Sequence, residues 1–262
     1  MPEPCQGRTS SMPGPHGCRK DLWGRDFIPK LKIHLLPRIQ RRLAPHPYPP
    51  PSSSGQSLES SQEWHYVVIW ENRVYTQKIM QVKFTSYNIR QDKDILHLNT
   101  ERSNIMVIDE GYKSGDSNHS YKYGQVIGIF HSIVMFVGPL KDETRCYKPH
   151  CLEYLWVRWY MLDNDSVENP YMLDKVKFRL TTREDAFGFI DPKRVVRMPH
   201  LIPRFAGGRL AMEHKFSWMT DYPDWKALYV NRFVDRDMFM RYQPNMGISH
   251  IKIRKQLGTN GS

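Results

Sequence analysis

The chain has 262 residues, of which 40% are hydrophobic and 12% aromatic, enough for a sizeable core. Its mean hydropathy of −0.61 indicates that part of it stays outside that core, and its net charge of +11 lies mostly at the two ends, because residues 51–250 are nearly balanced. The N-terminus lacks the apolar stretch of a secretory signal, which argues against an exported, disulfide-bonded protein; we expect an intracellular protein with reduced cysteines.

The first 43 residues divide into two predicted segments. Residues 1–20 are rich in Pro and Gly and are predicted to be disordered. Residues 21–43 have apolar side chains at helical spacing and many basic ones, which predicts a short basic amphipathic helix. Asp26 suits the N-cap and Pro29 the first turn, whereas Pro37 is predicted to limit the helix to about two turns.

Basic residues on this helix and in the C-terminal tail are the candidate nucleic-acid contacts. A basic amphipathic helix is able to touch nucleic acid or an acidic membrane surface, but more often it docks its apolar side on a neighbouring domain. Charge runs at chain ends are also commonly no more than solvated tails. The candidates are Lys30, Lys32, Arg38, Arg41 and Arg42 on the helix, and Lys252, Arg254 and Lys255 in the tail.

A Pro- and Ser-rich stretch separates this helix from the body of the chain. Residues 44–62 form a predicted linker, stiff at first and flexible after, which contains a domain boundary. Residues 63–242 contain about eight short segments of alternating or β-branched apolar residues, which predict strands. Residues 243–262 are polar and basic and are predicted to form a tail.

The most hydrophobic part of the body is the run Val126–Val137. The uncharged stretch around it, residues 123–140, approaches the length of a membrane-spanning helix. Because it is β-branched and contains Gly, His, Ser and Pro, we reject that interpretation and predict no membrane partner. A break at His131–Ser132 predicts two strands or one long bent strand. The fold is predicted to be mainly β: an antiparallel, partly closed barrel or sandwich with one or two short helices and disordered basic tails.

Aromatic residues alternate around Arg158 in the next predicted strand. With a period of two, Tyr154, Trp156 and Arg158 share one face, and the apolar residues between them form the other. The apolar face is predicted to be core. The aromatic face is either a binding face for bases or a methylated lysine, or the side of a sheet that a helix covers. We favour a covered face.

No residue is predicted to bind a metal or cofactor, or to catalyse a reaction. Cys146 and Cys151 have four residues between them, beside His150. A structural zinc site needs a second matched pair of ligands, and none lies nearby in the sequence. We therefore predict ordinary reduced thiols.

Acidic pairs raise the question of metal binding again, because paired carboxylates hold metal ions in phosphoryl-transfer sites. Turn formation and helix N-capping explain these pairs more simply. Asp235 is predicted to cap a short helix over residues 236–242, with Arg236 and Arg241 as exposed neighbours. The pairs are Asp92 with Asp94, Asp163 with Asp165, and Asp235 with Asp237.

Seven blocks of the chain stand in a distinctive order: Gly24–Leu36, Met80–Ile108, Gln125–His131, Leu155–Trp159, Ala186–Pro192, His200–Pro203 and Tyr229–Tyr242. In this order they resemble large open reading frames carried by basidiomycete transposable elements. The blocks cover about residues 21–242. Several blocks in order are a more specific signal than any single motif.

The resemblance implies the C-terminal accessory region of a transposase-like protein, similar in layout to the small β-domain that ends some plant CACTA-type element proteins. The zinc-finger and catalytic regions of such proteins lie upstream, so no catalytic residue is carried over. The implied function is a non-enzymatic accessory or binding domain, a remnant of a larger protein. Its implied partners are DNA, chromatin or an element-encoded transposase, and its implied location is the nucleus.

Two alternatives to this function stay open. The first is a chromatin-reader-like or DNA-binding β module, which would use Tyr154 and Trp156. The second is a metal-dependent nuclease or transposase fragment with carboxylates as metal ligands. The carboxylates in question are Asp92, Asp94, Asp163 and Asp165.

Overall fold

The computed structural model describes residues 8–11, 27–43, 62–98, 100–109, 121–139, 147–163, 173–209 and 225–242. The helices in these ranges are α1 (Phe27–Leu43) and α2 (Arg236–Arg241). The strands are β1 (Arg8–Ser11), β2 (Val67–Ile69), β3 (Arg73–Gln77), β4 (Ile79–Thr85), β5 (Gln91–His97), β6 (Asn104–Ile108), β7 (Tyr121–Phe136), β8 (His150–Leu162), β9 (Lys175–Phe178), β10 (Phe187–Ile190), β11 (Val195–Arg197), β12 (Leu201–Pro203) and β13 (Leu228–Val230).

Strands β7 and β8 form the centre of an antiparallel half-barrel sheet. The main path of the sheet is β1-β3-β7-β8-β9-β13-β12, with β2 and β6 also paired to β7, β10 to β8, and β11 to β6. Strands β4 and β5 pair only with each other and form a separate hairpin. The predicted fold class, mainly β and antiparallel with one or two short helices, is confirmed.

Strand β7 is one continuous strand of 16 residues rather than two strands. Its irregularity is a shift of register against β8 between Val126 and Gly128, not a break at His131–Ser132. The polar pair His131–Ser132 does not interrupt the strand because both side chains find partners on neighbouring strands. The Ser132 hydroxyl lies 2.8 Å from the hydroxyl of Tyr154, and the His131 ring stacks on the ring of Tyr75.

Strand β8 separates two hydrophobic clusters, as its predicted alternation requires. Tyr154 and Trp156 belong to the cluster beneath α1. Leu155, Val157 and Trp159 belong to the cluster beneath the β4–β5 hairpin. The central sheet is therefore covered by a helix on one side and by a two-stranded ribbon on the other.

Helix α1 is twice as long as predicted, because it continues through Pro37 to Leu43. An interior proline removes one backbone hydrogen bond and costs about 3 kcal/mol in a helix. Burial offsets that cost: Leu31, Leu35 and Ile39 are fully buried against the sheet, and each contributes about 1.5–3 kcal/mol. Packing on both sides of Pro37 thus holds the helix together.

Other differences from the predicted elements are local. Residues 8–11, inside the segment predicted to be disordered, form a strand paired with β3. Strand β5 was not predicted at all, because its first half is the polar sequence Gln-Asp-Lys-Asp. Strand β13 is only three residues long and ends at Val230. Helix α2 is confirmed, and the Asp235 carboxylate accepts a hydrogen bond of 2.6 Å from the backbone N–H of Met238, as a cap should.

A half-buried histidine in α1, His34, makes the stability of this packing depend on pH. Burial and the nearby Arg38 lower the pKa of His34 from 6.5 to about 4. Between about pH 6.5 and pH 4 the unfolded chain binds a proton at His34 that the folded chain does not, so the free energy of unfolding falls as the pH falls through this range. We expect this group to cost about 2 kcal/mol between neutral pH and about pH 5.

Urea unfolding of the wild type and of His34→Gln at about pH 7.5 and pH 5 measures this cost. The acid-induced loss should be smaller in His34→Gln, whereas a His65→Gln control at an exposed position should behave as the wild type does. Equal acid sensitivity in wild type and His34→Gln would contradict the prediction.

Candidate nucleic-acid interface

Three of the predicted nucleic-acid contacts on α1 dock the helix on the sheet. Arg38 donates a hydrogen bond of 2.7 Å to the Glu153 carbonyl and pairs with Asp191 at 2.9 Å. Arg42 donates to the Cys151 carbonyl at 2.9 Å, and Lys30 to the Glu184 carbonyl at 3.3 Å. Their polar groups are directed to the body of the protein, as expected for a basic helix that docks on a neighbouring domain rather than on nucleic acid.

The remaining candidates of that set have other surroundings. The ammonium group of Lys32 lies 6.0 Å from the centroid of the Trp64 ring. Arg41 is exposed on the side of α1 away from the sheet. The tail candidates Lys252, Arg254 and Lys255 lie outside the described residues.

The aromatic face of β8 is covered. Tyr154, Trp156 and Arg158 are all buried. The Phe27 ring of α1 meets the Trp156 ring edge-on, with centroids 5.1 Å apart, and the Arg158 guanidinium lies 3.7 Å from the Phe178 centroid. This face is therefore filled with the protein's own side chains, and bases or a methylated lysine do not reach it.

Three carboxylates, Asp94 of one acidic pair and both members of the pair Asp235 and Asp237, meet around a buried arginine. Arg197 on β11 contacts Asp94 with Nε at 2.8 Å, Asp235 with Nη2 at 2.9 Å and Asp237 with Nη1 at 2.5 Å. Arg241 contacts the same oxygen of Asp237 at 2.7 Å. We call these five residues the Arg197 cluster. The prediction that Arg241 is exposed is wrong: its side chain is 5% exposed and that of Arg197 is 6% exposed.

The Arg197 cluster explains why its carboxylates are poor metal ligands. Both oxygens of Asp94 accept hydrogen bonds from Arg197, and Oδ2 accepts a further one from the Met198 N–H. Burial opposes the charge of Asp235, but hydrogen bonds from Arg197 and from the backbone of α2 lower its pKa overall. A cation would have to displace these donors.

The other predicted carboxylates give no metal site either. Asp163 pairs with Lys175 at 2.8 Å and with Lys177 at 3.4 Å, and the lysines lower its pKa. Asp92 lies on strand β5 rather than in a loop, and Asp165 lies outside the described residues. Within the described part of the chain, no group of three or more His, Cys, Asp or Glu residues is arranged to hold a metal ion.

The Arg197 cluster fastens the β4–β5 hairpin to the body. The Arg197 guanidinium lies 3.7 Å from the centroid of the Phe84 ring on β4. At the hairpin end, the Tyr87 N–H donates to Asp237 at 2.9 Å, and Arg241 donates to the Thr85 carbonyl at 3.1 Å. Strand β11, helix α2 and the hairpin are thus joined through one set of charges.

The opposite face of the hairpin carries positive charge and no acid. Lys83 and Lys93 lie directly opposite each other in the β4–β5 register, and both are exposed. Like charges in this arrangement are destabilising. Asp92 and Asp94 alternate onto the other face. We call this surface the hairpin outer face; its residues are Ile79, Gln81, Lys83, Thr85, Gln91, Lys93, Ile95 and His97.

The sequence predicted none of this surface as a site. Residues 78–84 alternate as a strand does, but Lys83 and Lys93 are opposite each other only through pairing with β5, which its polar sequence does not indicate. The signal that was available is the turn sequence Ser86–Arg90 between two segments of equal length. Such a pattern is typical of a hairpin with a five-residue loop.

No protein-family model matches the chain, and neither a curated protein nor a solved structure matches it. No helix in the described residues is long and apolar enough to cross a membrane. The apolar run predicted to be strand rather than membrane span lies almost entirely in β7.

Proposed function

We propose that the chain is a non-enzymatic accessory domain of a transposable-element-derived protein, a remnant of a larger transposase-like protein, and that it binds DNA through the hairpin outer face. The observation that supports this is the acid-free pair Lys83 and Lys93 on a hairpin that a buried ion-pair cluster holds in place. Such a domain would act in the nucleus, on DNA or chromatin, alone or with an element-encoded transposase.

The charge arrangement favours a polyanion as the ligand. Side chains directly opposite on neighbouring strands have Cβ atoms about 5 Å apart, so the two ammonium groups repel each other in the unbound protein. Phosphates placed between or beside them would replace that repulsion with attraction. The bound state therefore gains more from Lys83 and Lys93 than from two separate surface lysines.

The shape of the hairpin is also compatible with duplex DNA. A two-stranded ribbon has strands about 4.8 Å apart and enters a major groove of about 12 Å. The outer face would meet the duplex, while the inner face stays packed on the central sheet through Val82 and Leu96. A ribbon already fixed on the body loses little conformational entropy on binding.

The two alternative functions have less support. A reader using Tyr154 and Trp156 would need an exposed aromatic face, and that face is covered by α1 and β10. A metal-dependent nuclease would need unoccupied carboxylates, and Asp94 and Asp163 are engaged by basic side chains. We therefore place DNA binding first.

Substituting both lysines is the direct test. In Lys83→Gln/Lys93→Gln we expect affinity for a mixed-sequence duplex to fall roughly tenfold, and the slope of log K against log salt to become shallower by about two. Fluorescence anisotropy between about 50 and 200 mM salt measures both quantities.

A matched control removes two exposed lysines elsewhere, in Lys148→Gln/Lys226→Gln. If the control lowers the affinity and the slope as much as the hairpin variant does, the hairpin is not the site. Removing residues 251–262 measures the contribution of the tail. Residues 27–43 must be kept in every variant, because α1 forms part of the core.

A further inference from the structure

The loop at the end of the β4–β5 hairpin carries an isoleucine in an unusual conformation. Ile89 has a φ of 65° and is 85% exposed. A left-handed backbone is a rare conformation for a β-branched residue, because its Cβ crowds the following carbonyl. Strain of this kind persists where the surrounding structure enforces it, and it is common at functional sites.

The surrounding hydrogen bonds do enforce it. The Ser86 N–H donates to the Arg90 carbonyl at 2.8 Å, and the Ile89 N–H donates to the Ser86 carbonyl at 2.9 Å. The Ser86 hydroxyl reaches the Asn88 side chain and the Arg90 carbonyl. Tyr87 is tied to Asp237 and lies under the guanidinium of Arg236, at 4.8 Å. The loop therefore presents Ile89 to solvent on a fixed base.

Two exposed arginines belong to or contact the loop that carries this apolar side chain. Arg90 follows Ile89 directly, the Arg236 guanidinium lies over the Tyr87 ring, and the hairpin outer face begins with Thr85 and Gln91. An exposed isoleucine without charged neighbours would suit an apolar protein pocket. An isoleucine beside arginines suits an apolar target that is bordered by anions. A step between two stacked base pairs, flanked by phosphates, is such a target.

We propose that Ile89 is a wedge that inserts between adjacent base pairs of duplex DNA and kinks it while Lys83 and Lys93 hold phosphates. This inference rests on the proposed DNA-binding function. Lys83 lies two residues, or about 7 Å along the strand, from the end of β4, and the loop that carries Ile89 begins at the next residue. The wedge and the lysines are therefore able to act on one short segment of DNA.

Bending of a labelled duplex tests the wedge. The full chain is mixed with a duplex of about 30 base pairs that has a fluorophore at each end and 2-aminopurine in a central TA step. We expect the wild type to increase two signals: the energy transfer between the two ends of the duplex, and the emission of 2-aminopurine. Ile89→Leu should keep both signals, whereas Ile89→Gly and Ile89→Asn should lose them, with affinity falling less than tenfold.

The two substitutions that remove the wedge also suit the backbone, because Gly and Asn accept a positive φ. Loss of signal is thus not a result of unfolding, and a thermal melt of each variant verifies this. Leu180→Asn, at an exposed position outside the hairpin, should leave both signals unchanged.

Each result separates the two proposals. If the wild type binds the duplex without bending it, or if Ile89→Gly bends it equally, the wedge is overturned and DNA binding by the hairpin outer face stands. If the wild type does not bind the duplex, both proposals are overturned.

Discussion

Replacing Arg197 by alanine should lower the free energy of unfolding by about 3–5 kcal/mol, the cost of removing one partner from a buried ion-pair group. Arg197 is the only one of the five residues in its cluster that touches Asp94, Asp235 and Asp237 together. Without it, Asp94 and Asp235 lose the guanidinium that pairs with them and Asp237 keeps only Arg241; Asp235 is the cap of α2 and Asp237 lies in its first turn.

The measurement is chemical denaturation followed by tryptophan fluorescence. Arg183→Ala is the control, because that arginine pairs with Asp185 on the surface and its loss should leave the unfolding midpoint nearly unchanged. Hydrogen exchange adds a local readout: amides of β4 and β5 should lose protection before those of β7 and β8. Equal midpoint shifts in the two variants would contradict the role given to the cluster.

Arg197→Lys separates charge from geometry. Lysine keeps the positive charge but lacks the planar fork that reaches three carboxylates at once. We expect an intermediate loss of stability. A loss as small as that of the surface control would mean that net charge alone matters.

Replacing Leu35 by alanine should cost about 2–5 kcal/mol, the range for removing a large aliphatic side chain from a core. Leu35 is fully buried where α1 lies against the sheet, and it belongs to the same cluster as Trp156. The cavity would open under the centre of the helix, next to Pro37, where the helix already lacks a backbone hydrogen bond.

Urea unfolding of Leu35→Ala, with Arg41→Ala as the control on the exposed side of the same helix, measures this effect. The two variants also distinguish a docked helix from an independent one. If α1 were an independent nucleic-acid-binding segment, Leu35→Ala would leave the unfolding of the sheet unchanged. A single transition shifted to lower urea is expected instead, because helix and sheet share one core.

The sequence predicted well the features that depend on neighbours in the chain. The alternation of Tyr154, Trp156 and Arg158 with apolar residues assigned both faces of β8, and Asp235 was identified as a cap from its position before an apolar segment. These patterns are set by the period of a strand and by the geometry of a helix start. Both operate within a few residues.

Features that depend on distant partners were not predicted. Arg197 is 103 residues from Asp94 and about 40 from Asp237, so the Arg197 cluster exists only after the sheet has formed its register. The same holds for Lys83 and Lys93, which are opposite each other only through the β4–β5 pairing. The sequence predicts a shorter α1, because the local effect of Pro37 does not include the stabilisation that the helix gains by packing on the sheet.

The docking of α1 has a consequence for synthesis on the ribosome. Lys30 reaches a partner 154 residues further along the chain, and the Phe27 ring packs on that of Phe189. At about 5–20 residues per second, α1 is synthesised roughly 8–30 s before the last segment that it contacts, around residues 184–190. The docking of α1 is therefore complete only after β10 has been made, and until then Leu31, Leu35 and Ile39 have only earlier segments such as β2, β7 and β8 to pack against.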